Sequence, residues 1–216
     1  MTETMSTIAK SRIIKPSSEA EEGYHDSHPP IIPLEHRLKL HPSTKHEVAS
    51  IPEPWGWPGL SEALYYRSYS REKADGTQER WADTVVRCVE GVLSIRKSHH
   101  MRNHLPWDDG RWKAYGHELA RSLAIGEWSP PGRGLWAQGT EYIYSRGAAA
   151  LTNCAYVDFD SGQDIAHVLG WAMDMLMSGA GVGFGIGRKP VRMEMPWGPP
   201  RYYEVPDTRE GWVESY

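Results

Sequence analysis

Residues 147–188 read GAAALTNCAYVDFDSGQDIAHVLGWAMDMLMSGAGVGFGIGR, and their order decides the fold. The apolar run Ala148 to Val157 reads as a strand and carries a lone cysteine, Cys154. Ile165 to Met177 follows, with Val168, Leu169, Ala172, Met175 and Leu176 at the spacing of a helix with a wide buried face. Met173, Met175 and Met177 on that helix read as core filler. Ser178 to Gly187 then alternates glycine with Val182, Phe184 and Ile186, as a helix C-cap running into an extended segment does. Strand, helix, then a glycine-dense loop is a nucleotide-handling arrangement. It is not the dinucleotide fingerprint, whose glycines lie between a strand and the start of a helix. Here they follow a helix, so bare amides and Arg188 would have to meet a phosphate. Asp158, Asp160 and Ser161 fall where the strand ends, and Asp160 or Ser161 suits the N-cap of the coming helix.

Working toward the N-terminus, Gly126 to Thr140, GEWSPPGRGLWAQGT, reads as a loop. Pro130, Pro131, Gly132 and Gly134 argue against a helix, and the glycines let backbone approach a ligand. Leu135 and Trp136 read as the anchor of that loop. Two helices are expected before it. Thr77 to Ile95 places Trp81, Val85, Cys88 or Val89, and Val92 on one face; Trp112 to Leu123 places Trp112, Tyr115, Leu119 and Leu123 on another. Cys88 reads as a small buried thiol. Residues 1–54 hold seven prolines, many His and Ser, and no sustained period, so a disordered or extended tail is expected there. Its histidines match no metal-ligand spacing, and no metal site is expected. Toward the C-terminus, Val191 to Met195 alternates like a strand, and Asp207 or Thr208 caps a short final helix.

Composition narrows the function. A formal net charge of -4 over 216 residues gives no case for a nucleic-acid polymer or an anionic membrane as partner. Two cysteines far apart do not make a disulfide framework, and a reducing cytoplasm is the expectation. No apolar signal core or membrane-spanning window is present. Ten Trp and eleven Tyr against two Phe require many rings with a polar tip to be packed and hydrogen-bonded.

Five segments in order then carry a resemblance: YYRSYSR, PPGRGLWAQGT, LTNCAYV, GAGVGFGIGR and DTREGW. Over roughly Leu60 to Tyr216 they resemble the catalytic chain of ribonucleotide reductases, nearest to the adenosylcobalamin-dependent class II type. The resemblance implies an α/β fold, a helical N-terminal region over 55–145 followed over 146–216 by the first strand-helix-strand part of a ten-stranded α/β barrel. It implies that Cys154 is one of two redox cysteines that reduce a ribonucleotide and end as a disulfide. Asn153, Gly181, Gly183, Gly185, Pro131 and Gly132 would lie along the substrate. Asp158, Asp160 and Ser161 would belong to the site of a deoxynucleoside triphosphate effector. Adenosylcobalamin, bound mainly outside this chain, would start the thiyl-radical chemistry. Thioredoxin or glutaredoxin would be the reductant.

The radical-bearing cysteine, the second redox cysteine and the C-terminal cysteine pair of that family have no counterpart here, and Cys88 is a poor substitute. The chain is therefore expected to be inactive alone and to need the remainder of the catalytic chain. A split subunit, an intein flank and a fragment stay open, as do di- and triphosphate substrates. Two other readings remain: a non-catalytic nucleotide-binding or regulatory module, and a helical interaction protein whose glycine segment is only a turn.

Overall fold

A computed structural model describes residues 30–56, 59–159, 165–185 and 204–215. Its centre is a long helix, α3 (Trp81–Arg102), on which α4 (Asp109–Ala124) packs. Local chemistry starts both. The Asp83 carboxylate accepts from the Arg80 backbone N–H at 2.9 Å, and Asp108 accepts from the Arg111 N–H at 3.1 Å. Val85, Val89, Leu93, Ala120 and Leu123 are buried between the two helices, each large aliphatic worth about 1.5–3 kcal/mol. The Trp81 indole donates to the Ala124 carbonyl at 3.0 Å and ties the start of α3 to the end of α4. Cys88 lies in this core, as expected. Val92 and Tyr115, expected on the buried faces, are exposed; the stripe turns so that Leu93 fills the core instead.

The tail expected over 1–54 is overturned for residues 30–54, which join the core. They form α1 (Pro42–Ser50) and bury Leu38, Leu40 and Val48. The reason is polar. Ser94 Oγ accepts from the Leu38 N–H at 2.9 Å, and the buried Glu90 carboxylate accepts from the Leu40 N–H at 3.0 Å. Lys39 and Lys45 pair with the same carboxylate at 2.8 and 2.7 Å. Two side chains of α3 thus satisfy an irregular segment that has no period of its own. Residues 1–29 lie outside the described residues.

Leu60–Ser68 forms α2, which packs Tyr65 against Trp55 and Trp81. The expected loop at 126–140 contains a helix, α5 (Gly132–Ala137), with α6 (Glu141–Arg146) after it. Pro131 stands at the N-cap, where a missing N–H costs nothing, and its carbonyl accepts from Gly134 and Leu135. Tertiary contacts then override the glycines' low propensity. Arg87 donates to the Leu135 and Gln138 carbonyls at 2.8 and 2.6 Å, and the Cys88 thiol to that of Gly134 at 3.5 Å. α3 and the α5–α6 turn touch backbone to backbone. A Cβ on Gly91 would sit 2.4 Å from the Gly139 nitrogen, and Gly139 itself holds φ +74. Gly91→Ala is expected to cost about 1–3 kcal/mol, by forced separation, read as a lowered thermal midpoint.

The C-terminal part is a two-stranded parallel sheet joined by a helix. A 3-10 turn, Ala148–Leu151, takes the first half of the expected strand, and β1 begins only at Cys154 and runs to Asp158. The turn forms because Thr152 folds back, its N–H and hydroxyl both donating to the Ala149 carbonyl. α7 (Ile165–Met177) follows with the expected bounds and buries Val168, Ala172 and Met175, but Leu176 and Met177, expected in its buried face and core, are exposed. It stops at Gly179, φ +81, and β2 (Gly181–Gly185) starts at once. α8 (Arg209–Glu214) packs on α7, capped by Thr208, whose hydroxyl accepts from the Gly211 N–H at 3.0 Å. The described sheet has two strands, not a barrel. The expected strand at 191–195 lies outside the described residues.

Candidate functional site

The register of the small sheet builds the site. β1 and β2 pair in parallel with Cys154 opposite Gly181, Tyr156 opposite Gly183 and Asp158 opposite Gly185. Side chains alternate along a strand, so these six residues share one face. β1 puts a thiol, a phenol and a carboxylate there, and β2 puts no side chain at all. The result is a bare backbone floor beside an exposed thiol. On the other face Ala155, Val157 and Val182 are half-buried, and α7 packs against both strands.

The floor is not uniform. The Tyr156 ring lies over its far end: a Cβ on Gly183 would meet Tyr156 Cδ2 at 3.5 Å, and one on Gly185 would meet the hydroxyl at 2.2 Å. Next to Cys154 the floor is open, the nearest atom to a Cβ on Gly181 being the Asn153 carbonyl oxygen at 3.7 Å. That carbonyl also accepts the first ladder bond, from the Gly181 N–H at 2.9 Å. Asn153 therefore holds the strands together through its backbone. Asn153 is itself exposed.

Pro131 and Gly132 lie elsewhere, at the start of α5. Gly132 lines a cleft of about 560 Å³ together with Tyr69, Arg133, Trp136, Tyr142 and Gly179. This volume suits a small organic ligand. Gly179 stands two residues before β2, so the cleft opens toward the start of the glycine strand. The Arg133 guanidinium at this cleft is held in place, donating to the carbonyls of Ala150, Ser178 and Gly179. Sequence reading passed over Arg133 and Tyr156; of the pair expected to anchor the loop, Leu135 is buried, but Trp136 is exposed on the wall of the cleft. Arg133 was legible only as part of PPGRGLW, because nothing in the sequence tells which carbonyls a guanidinium will reach.

Asp158 ends β1 opposite Gly185; Asp160, Ser161 and Arg188 lie outside the described residues. Among the described residues no group of three or more His, Cys, Asp or Glu could hold a metal ion, and no helix is long and apolar enough to cross a membrane.

The two thiols differ sharply. Burial pushes Cys88 up to about 11, so it stays a neutral thiol at any physiological pH. Cys154 is exposed. A thiol reagent at pH 8 is expected to titrate one cysteine in the native chain and both after denaturation, and peptide mapping should place the fast label on Cys154. Two fast native thiols would contradict the packing around Cys88.

Comparison with known proteins gives a consistent picture. The ribonucleotide reductase alpha domain matches residues 40–140. The chain is 38% identical over 193 residues to an adenosylcobalamin-dependent ribonucleoside-triphosphate reductase of Euglena gracilis, covering 86% of this chain and 26% of that protein. It is 35% identical over 182 residues to a probable enzyme of the same name from Dictyostelium discoideum, covering 75% of this chain and 24% of that protein. In three dimensions it is similar to the crystal structure of a B12-dependent (class II) ribonucleotide reductase. The TM-score is 0.63 at 24% identity, over 82% of this chain and 32% of that one. The chain thus spans about a quarter of the length of these curated relatives.

Proposed function

Because the chain belongs to the ribonucleotide reductase family, we propose that it forms part of an enzyme that reduces ribonucleotides to 2′-deoxyribonucleotides and is inactive without the remainder of the barrel. The observation that carries this reading is the register of Cys154 with Gly181: an exposed thiol beside a strand with no side chain on that face. Replacing a ribose 2′-hydroxyl by hydrogen consumes two electrons and two protons and releases water. Two thiols supply both as they join in a disulfide, and an external dithiol resets them by exchange. Cys154 is assigned one of those thiols. Its partner belongs to a part of the enzyme outside this chain, since Cys88 is locked in the helical core.

The substrate is assigned to the floor along Gly181, Gly183 and Gly185, with Asn153 at its edge and Pro131 and Gly132 at its mouth. Lying over the full floor would require the Tyr156 ring to swing off Gly183 and Gly185. Triphosphate is the form reduced by the named relatives, and a triphosphate substrate is proposed here. Asp158, with Asp160 and Ser161, is assigned to a deoxynucleoside triphosphate effector, and a thioredoxin-type protein is assigned as reductant.

Adenosylcobalamin is the proposed cofactor, as in the relatives' names, and when bound it would supply the radical chemistry. The described residues do not fit it. The cleft, at about 560 Å³, has the volume of a small organic ligand and not of a corrinoid. The cofactor is therefore assigned to parts of the enzyme beyond these residues.

A chimera tests the reading. The matched segment of the Euglena gracilis relative is replaced by this chain's, and ribonucleoside triphosphate reduction is assayed with cofactor and dithiol. Turnover within about tenfold of the parent supports the assignment. A folded chimera that binds nucleotide without turning over would favour the non-catalytic module.

A further inference from the structure

We propose that Arg133 is a positioning residue: its guanidinium fixes the spacing of the two strands that set Cys154 beside Gly181. Nη1 donates to the carbonyls of Ala150 and Ser178, each at 3.2 Å, and Nη2 donates to that of Gly179. Ala150 lies in the turn that leads into β1, and Gly179 lies two residues before β2. One planar fork therefore grips the chain just ahead of both strands. No lysine reproduces this, because an ammonium is a point charge and not a fork with fixed angles.

Three further features fit a clamp. The carbonyls it grips on the α7 side, those of Ser178 and Gly179, follow directly on the last residue of that helix, at the negative end of its dipole, where a cation is favoured. Gly179 leaves room for it, since a Cβ there would lie 3.0 Å from Nη2. The helix that carries Arg133 is itself tied to α3, where Arg87 and Cys88 donate to the carbonyls of Gly134, Leu135 and Gln138. α7 is braced independently by Arg209, whose Nη2 donates to the Ser178 hydroxyl at 2.8 Å and pairs with Asp174 at 2.6 Å. Loss of Arg133 should therefore loosen the two strands against each other without releasing α7. The consequence for catalysis rests on the reductase reading; the clamp itself does not.

Hydrogen exchange of backbone amides in this chain tests it, with Arg133→Lys and Arg133→Met. Exchange at Gly181, whose N–H donates to Asn153, is expected to quicken at least tenfold in both, while Val85 and Val89 of α3 keep their rates. Should Arg133→Met not fold, Arg133→Lys alone carries the comparison. Unchanged exchange in β2, or β2 and α3 quickening together, overturns the clamp. The chimera separates the two ideas. Quickened β2 exchange with an inactive wild-type chimera leaves the clamp standing and removes the reductase reading. An active chimera with unaltered β2 exchange does the reverse.

Discussion

Cys154→Ser in the chimera is expected to lower multiple-turnover reduction by about 10³-fold or more, at least ~4 kcal/mol in barrier terms. Serine is close in size and leaves the sheet intact, since Cys154 is exposed and contributes its backbone to the ladder. What it removes is chemistry. A hydroxyl cannot form a disulfide, so the two electrons needed at C2′ have no donor pair, whatever the external reductant. The measurement is deoxynucleotide formed per enzyme over many cycles with a dithiol. Nucleotide affinity should be kept, because the floor of β2 is unchanged. Turnover retained in Cys154→Ser would reduce Cys154 to a surface thiol and sink the redox assignment.

The second large effect is on stability. Arg87→Met is expected to cost about 3–5 kcal/mol, because it strands a buried carboxylate. Glu79 is 6% exposed, and Arg87 meets it through two parallel bonds, Nε to Oε1 at 2.7 Å and Nη2 to Oε2 at 2.9 Å. Thr84 adds a third bond to the same carboxylate at 2.8 Å. The variant also orphans the carbonyls of Leu135 and Gln138. Urea unfolding should show the drop. The double change Arg87→Met with Glu79→Leu should recover much of the loss, since no buried charge remains. A loss below ~1 kcal/mol in the single variant would mean water reaches Glu79.

Periodic and capped segments were legible without coordinates. α7 matches its expected bounds because apolar residues recur along it and glycine ends it. Thr208 caps α8 as its residue type suggests. The core stripe of α3 through Trp81, Val85 and Val89 was legible for the same reason, although α3 runs on to Arg102. So was Cys154 as the odd residue of a strand.

Other features depended on partners distant in sequence. Leu38 and Leu40 enter the core only because Ser94 and Glu90 satisfy their backbone. α5 forms through Pro and Gly because Arg87 and Cys88 supply donors to its carbonyls. The face shared by Cys154 and three glycines is a matter of register, which parallel pairing across α7 decides. The sequence alone thus determined the local elements, the lone thiol and the family, since period, capping and motif order are written in neighbouring residues. Tertiary structure decided what the thiol faces and what Arg133 grips, because backbone polar groups find their partners in space and no local pattern encodes those pairings.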